Sequence, residues 1–130
     1  MWRLTPLHRK FLVYCADDWS GPWILVVDVH LNDPEADDKT VQTRTLAILR
    51  DLLEAGYIRA GDLVDFKNDT FIPWDLTVDQ AIDRIHTEWD TLGRDPKPWE
   101  IVWFTSTREG DLALAEGQER NTLHDQGGER

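Results

Sequence analysis

One segment, residues 37–56, constrains the fold most strongly because it contains a helix start, a one-sided apolar stripe and a helix stop. Asp37 or Asp38 can cap the N-terminus, and Gly56 occupies the position at which a left-handed residue ends many helices. Between them, the residues with helical spacing are Val41, Thr45, Ile48, Leu49 and Leu52. The sequence therefore predicts a helix over 37–55 that leads directly into a strand near Tyr57 to Arg59.

A second amphipathic stripe begins after a Thr77 cap and stops at Gly93. Its apolar residues step by four, three, four and three, at Val78, Ile82, Ile85, Trp89 and Leu92. Strands are predicted over 57–64, which Gly61 interrupts, and over 99–105, whereas 65–75 is rich in turn residues. Shorter helices are predicted over 6–16, after a Thr5 cap, and over 107–117. These elements predict a mixed α/β fold of the α+β type, in which the strand near 57–59 pairs antiparallel with 100–105.

The segment from Gly21 to Leu31 is apolar on all sides. This composition fits either a buried helix started by Ser20 or a buried strand rich in β-branched residues, and periodicity does not decide between them. In a strand, Asp28 and His30 would point to the same side and could act as an acid/base pair.

The length of the chain limits its organisation. With 130 residues and 41% hydrophobic content, the chain can bury one ordinary core but not two. Residues 1–117 are predicted to form a single domain. Residues 118–130 are polar and contain glycine, so they are predicted to be a disordered tail.

The charge and the cysteine content limit which partners the chain can bind and indicate the cellular compartment in which it is found. There are 25 acidic and 14 basic residues, and the formal net charge of −11 opposes phosphate backbones and favours a basic partner. Cys15 is the single cysteine, which excludes an internal disulfide and a cysteine-rich zinc site and indicates the cytoplasm. Residues 1–10 lack the apolar stretch of a signal peptide, and the run from Trp23 to Val27 is too short for a membrane span. We expect no cofactor and no membrane contact.

Two stretches carry a resemblance to a known family. Leu49 to Ile58 is similar to the end of a recognition helix and the start of a wing, and Trp103 to Ala113 is similar to a returning wing strand and the helix after it. The pattern resembles the winged-helix superfamily, in particular regulators of the MarR and PadR types. The resemblance implies that 37–55 occupies the recognition-helix position. In the family a short hairpin joins the wing strands, whereas here 60–98 intervene and include the second amphipathic helix.

The resemblance raises the alternative of a DNA-binding transcriptional regulator. Residues 39–50 include no aspartate or glutamate. Near the start of the predicted helix, several side chains are of types that bind phosphates and base edges: Lys39, Thr40, Gln42, Thr43 and Arg44. A solvated helix face explains the same residues, and the basic clusters are small for a DNA-binding domain. Because the chain as a whole is strongly acidic, DNA binding ranks second among the predicted functions.

A hydrolase or metal enzyme is a third reading. Asp28, His30 and Asp33 form one cluster of carboxylates and histidine, and the helix around 78–92 carries another. The helical set consists of Asp79, Asp83, His86 and Asp90. No metalloprotease spacing, nucleophile elbow or phosphate-binding glycine loop accompanies either set. We therefore predict no catalytic residue and no metal ligand.

The sequence favours a non-catalytic, acidic protein-interaction or regulatory module. Asp79, Asp83 and Asp90 are predicted to face outward from the second amphipathic helix and to form the protein-binding surface. The partner is expected to be a basic protein. The sequence leaves open whether the chain forms a homodimer.

Overall fold

Helices dominate the part of the chain that the structure, a computed structural model, describes: residues 4–17, 19–65, 70–98 and 100–116. The elements are α1 (Pro6–Asp17), α2 (Pro22–Asn32), α3 (Asp38–Glu54), β1 (Ile58–Asp65), β2 (Thr70–Pro73), α4 (Val78–Leu92) and β3 (Trp103–Ser106). A further helix, α5, is described over 108–116. The predicted mixed α+β fold is confirmed. The predicted tail, 118–130, lies outside the described residues.

Helix ends are set by side chains that satisfy free backbone groups. Asp37 accepts a hydrogen bond from the Thr40 amide at 2.8 Å. The Thr40 side chain and then this amide bond lower the pKa of the Asp37 carboxyl. Thr77 forms a reciprocal capping box with Gln80 at the start of α4. Gly93 ends α4 in the left-handed conformation at φ 68°. The predicted caps of both long helices are therefore confirmed.

The segment 21–31, for which the sequence did not decide between helix and strand, forms the helix α2. Gly21 is its N-cap and Pro22 stands in its first turn, where the fixed φ of proline suits a helix. Its apolar residues are not buried on all sides, since Val27 and Leu31 are 52% and 71% exposed. On a helix, positions two apart lie roughly 200° apart around the axis, so Asp28 and His30 diverge and the strand-based acid/base pair is wrong.

The sheet has the order β2-β1-β3, and both pairings are antiparallel. Ile58 pairs with Ser106 and Arg59 with Thr105, so the predicted ladder between the strand after α3 and the late strand is confirmed. Gly61 does not interrupt β1. It pairs with strands on both sides, and a Cβ there would lie 2.4 Å from the Ile72 carbonyl oxygen, so the absence of a side chain permits the close approach of β2.

The strands differ from the sequence prediction in two respects. The region predicted to be turn-rich contains β2, which ends in Pro73 at the outer edge of the sheet, where a proline removes no needed donor. β3 begins at Trp103 and not at the start of the predicted range. Ile101, shortly before it, has a positive φ of 71°, which is incompatible with an extended strand.

The core lies between the helices and β3. Phe11 of α1 and Phe104 of β3 are fully buried and meet edge to face, with ring centroids 5.7 Å apart. Cys15 is 2% exposed, and burial raises the pKa of its thiol, as expected for an inert core cysteine. Ile85 and Trp89 of α4 belong to the same apolar cluster, so α4 is part of the core and not a detached insertion.

Among the described residues, no helix is long and apolar enough to cross a membrane.

Candidate interaction surface

α4 is held in place along its length, which fixes the orientation of its outer face. Ile82, Ile85 and Trp89 are buried on its inner side. At its N-terminal half, the Arg84 guanidinium stacks on the Trp74 ring at 3.9 Å from the ring centroid and so links α4 to the segment after β2. The exposed side of α4 therefore has a defined orientation relative to the core.

The solvent-exposed side of α4 carries the predicted protein-binding carboxylates. Asp79, Asp83 and Asp90 are all exposed, and the Asp79 side chain is 86% accessible. They lie at spacings of four and seven residues, which places them along one side of the helix. We call these three residues the α4 acidic face.

Two members of the α4 acidic face also contact α3. Asp79 forms an ion pair with Arg50, which raises the pKa of the Arg50 guanidinium. Asp90 accepts a hydrogen bond from the Gln42 side-chain amide at 2.9 Å and lies 3.4 Å from the His86 imidazole. α4 therefore covers one side of α3 and supplies that side with carboxylates.

The residues proposed for DNA contact occupy the first turns of α3 but do not form a free basic surface. Lys39 and Thr43 are exposed. The Arg44 guanidinium, however, forms an ion pair with Asp33 at 2.7 Å, and Gln42 is held by α4. The Thr40 amide is occupied by the Asp37 cap. A phosphate at this face would have to displace protein carboxylates.

The residues of the two proposed enzyme clusters differ in whether the structure brings them together. Asp28 bonds to Lys10 at 2.9 Å and Asp33 pairs with Arg44, while His30 lies 3.6 Å from Asp95, so the first cluster does not assemble. Three of the four residues of the second cluster border one open cavity. Asp79, Asp83 and His86 line one open cavity of about 450 Å³ together with Arg50, Gln80 and Ile82.

A further cavity, which sequence reasoning missed, lies between the start of α3 and the end of α4. Its volume is about 420 Å³, and its lining consists of Asp38, Lys39, Gln42, Trp89, Asp90, Gly93, Arg94 and Asp95. No local pattern signals it, because residues near 38–42 and 89–95 meet only when the two helices dock.

The loop that borders this cavity is fixed by one glutamate. Glu100 binds the Arg94 guanidinium through both carboxylate oxygens, at 2.7 and 2.8 Å, and accepts a bond from the Lys97 amide at 2.7 Å. The Arg94 bonds, followed by the amide bond, lower the pKa of Glu100 to about 2. The positive charge of Arg94 is thereby paired within the loop.

Comparison with protein-family models, with curated proteins and with solved structures found no match to this chain.

Proposed function

We propose that this chain is a non-catalytic protein-interaction or regulatory module that binds a basic partner through the α4 acidic face. The observation that carries the proposal is the joint placement of Asp79, Asp83 and Asp90 on the exposed side of α4 that borders α3, while the buried side of α4 packs in the core. Preorganised charge of one sign steers an oppositely charged partner and fixes its orientation. The net charge of −11 acts in the same direction.

The winged-helix resemblance is retained as part of the proposal. It is supported by the direct passage from α3 into β1 and by the β1–β3 ladder. In that reading α3 holds the recognition-helix position, and the segment with β2 and α4 replaces the wing tip. We place the module in the cytoplasm, with support from its single, deeply buried cysteine.

DNA binding ranks below protein binding for a physical reason. Counterion release needs several unpaired cations along the contacted helix. Arg44 and Arg50 are each paired with a carboxylate from a neighbouring segment, which leaves Lys39 as the exposed cation near the start of α3. A short cationic surface of this kind is a weak electrostatic footprint for a duplex.

The test compares partner capture by two variants with the same charge change. Tagged full-length chain is expressed in its own host, and co-purifying proteins are quantified for the wild type, for Asp79→Asn with Asp83→Asn, and for the control Glu35→Gln with Glu109→Gln. The control residues are exposed and belong to other segments, Glu35 to the connection between α2 and α3 and Glu109 to α5. We expect a basic protein that is lost from the first variant and retained by the control. Equal retention by both variants contradicts the proposal.

A further inference from the structure

Three potential metal ligands converge from separate segments of the chain. His30 lies in the last turn of α2, Asp38 is the first residue of α3, and Asp95 follows the C-cap of α4 by two residues. One ligand atom from each side chain lies within 4.8 Å of those from the other two. The docking of α2, α3 and α4 therefore brings one imidazole and two carboxylates together at a single point.

The spacing of these atoms suits a bound ion better than a direct hydrogen bond. The distance from His30 Nε2 to Asp95 Oδ2 is 3.6 Å, which is beyond hydrogen-bonding range. Two ligands that each lie about 2.1 Å from a tetrahedral ion are separated by roughly 3.4 Å. The His30–Asp95 separation is therefore close to that of two ligands on one ion, and the Asp38 oxygen lies within 4.8 Å of both ligand atoms.

The helix ends around the cluster contribute partial charges of both signs. The C-terminal ends of α2 and α4 adjoin the cluster and favour a cation through their last carbonyl groups, whereas the N-terminus of α3, at Asp38, carries partial positive charge and opposes one. Of the cations that line the adjacent cavity, Arg94 is bound to Glu100, while Lys39 is exposed to solvent. Solvent screens an exposed ammonium group, so Lys39 opposes a bound ion only weakly.

We propose that His30, Asp38 and Asp95 form a binding site for a divalent transition-metal ion, with Zn²⁺ the best match. One imidazole nitrogen and two carboxylate oxygens are donors that zinc accepts, whereas Mg²⁺ prefers an all-oxygen octahedron. Three protein ligands leave a fourth position for water. Asp38 and Asp95 line the cavity of about 420 Å³, so that position adjoins solvent-filled space. Asp90 of the α4 acidic face lines the same cavity, but it is not one of the three proposed ligands.

The test is isothermal titration of the full chain, stripped with chelator and dialysed, against Zn²⁺ and, in parallel, Mg²⁺. We expect saturable binding of one Zn²⁺ per chain and much weaker binding of Mg²⁺. His30→Ala and Asp38→Asn should each lower the Zn²⁺ affinity by about tenfold or more, since even second-shell changes at metal sites reach this size. Thermal melting without metal checks that the variants fold.

His86→Ala is the matched control, because His86 is also a half-exposed histidine beside an aspartate, at 3.4 Å. It should leave Zn²⁺ affinity unchanged. The proposal would be overturned by the absence of saturable Zn²⁺ binding to the wild type, by an affinity that His30→Ala and Asp38→Asn leave unchanged, or by Mg²⁺ binding as tight as that of Zn²⁺. Loss of binding in His86→Ala would likewise place the ion elsewhere.

Discussion

The Lys10 ammonium of α1 bonds to the Asp28 carboxylate of α2 at 2.9 Å, across the interface between the two helices. The two ends of this pair differ in environment, since the side chain of Lys10 is 51% exposed and that of Asp28 only 6%. The pKa of Lys10 is raised by this hydrogen bond and by the charge of Asp28. The aspartate that sequence offered as a catalytic acid is thus a structural group that joins α1 to α2.

Removal of Lys10 should destabilise the fold by isolating a buried charge. We expect Lys10→Met to lower the melting temperature by roughly 5 °C or more, because Asp28 loses its partner while it stays buried. The double variant Lys10→Met with Asp28→Leu should recover part of that loss, since it leaves no buried charge. Thermal melts of the two variants and of Lys10→Arg measure the effect. A Lys10→Met protein as stable as the wild type would contradict the structural role.

The packing of α4 should depend on Trp89. Its side chain is 4% exposed within the core cluster, and truncation of a large buried aromatic costs roughly 3 to 5 kcal/mol. Trp89→Ala is therefore expected to lower the free energy of unfolding by this amount in denaturant titration, and Trp89→Phe by less. A loss below about 1 kcal/mol for Trp89→Ala would mean that α4 is not anchored through this ring.

The α4 acidic face should contribute little to stability. Asp79 pairs with Arg50, but the Asp79 side chain is 86% exposed, and solvent screens such pairs. We expect Asp79→Asn with Asp83→Asn to keep the melting temperature within a few degrees of the wild type. Differential scanning calorimetry provides the measurement. A large decrease in melting temperature would identify these aspartates as structural. Loss of a partner from this variant could then be attributed to unfolding, and the partner-capture test would no longer report on the α4 acidic face.

Purified protein should show no salt-sensitive binding to mixed-sequence duplex DNA near physiological ionic strength. The net charge opposes the counterion-release contribution, and Arg44 is paired with Asp33. Fluorescence anisotropy with labelled duplex at two salt concentrations tests this. Binding that weakens steeply with salt and disappears in Lys39→Ala with Arg44→Ala would place DNA ahead of a protein partner.

The loop after α4 should have a measurable acid dependence. The pKa of Glu100 is lowered from 4.5 to about 2, so its carboxylate stabilises the folded state fully above pH 4.5 and loses that effect as the pH falls toward 2. Glu100→Gln should melt a few degrees below the wild type at pH 7, a small change because Arg94 is 43% exposed. The difference should shrink between pH 4.5 and 2. A difference that is independent of pH would exclude the ionised pair as its cause.

The sequence by itself determined the elements whose signals are local. Asp37 and Gly56 bracket α3, Thr77 and Gly93 bracket α4, and the apolar stripe between each pair has helical spacing. These signals succeed because a cap or a left-handed glycine acts within one turn of the chain. The β1–β3 ladder was also predictable, since the strand after α3 and the β-rich segment 99–105 were the strand candidates that flank α4, although β3 itself covers Trp103–Ser106.

Only the tertiary structure decided the state of α2 and the partners of the charged residues. A segment that is apolar on all sides has no period, so docking against α1 and α3 determines which of its residues are buried and which, like Val27, are exposed. Gln42 meets Asp90 across 48 positions of sequence, and His30 meets Asp38 and Asp95 only where three helix ends converge. Such contacts depend on how helices pack against one another, and the spacing of residues along one helix carries no information about its neighbour.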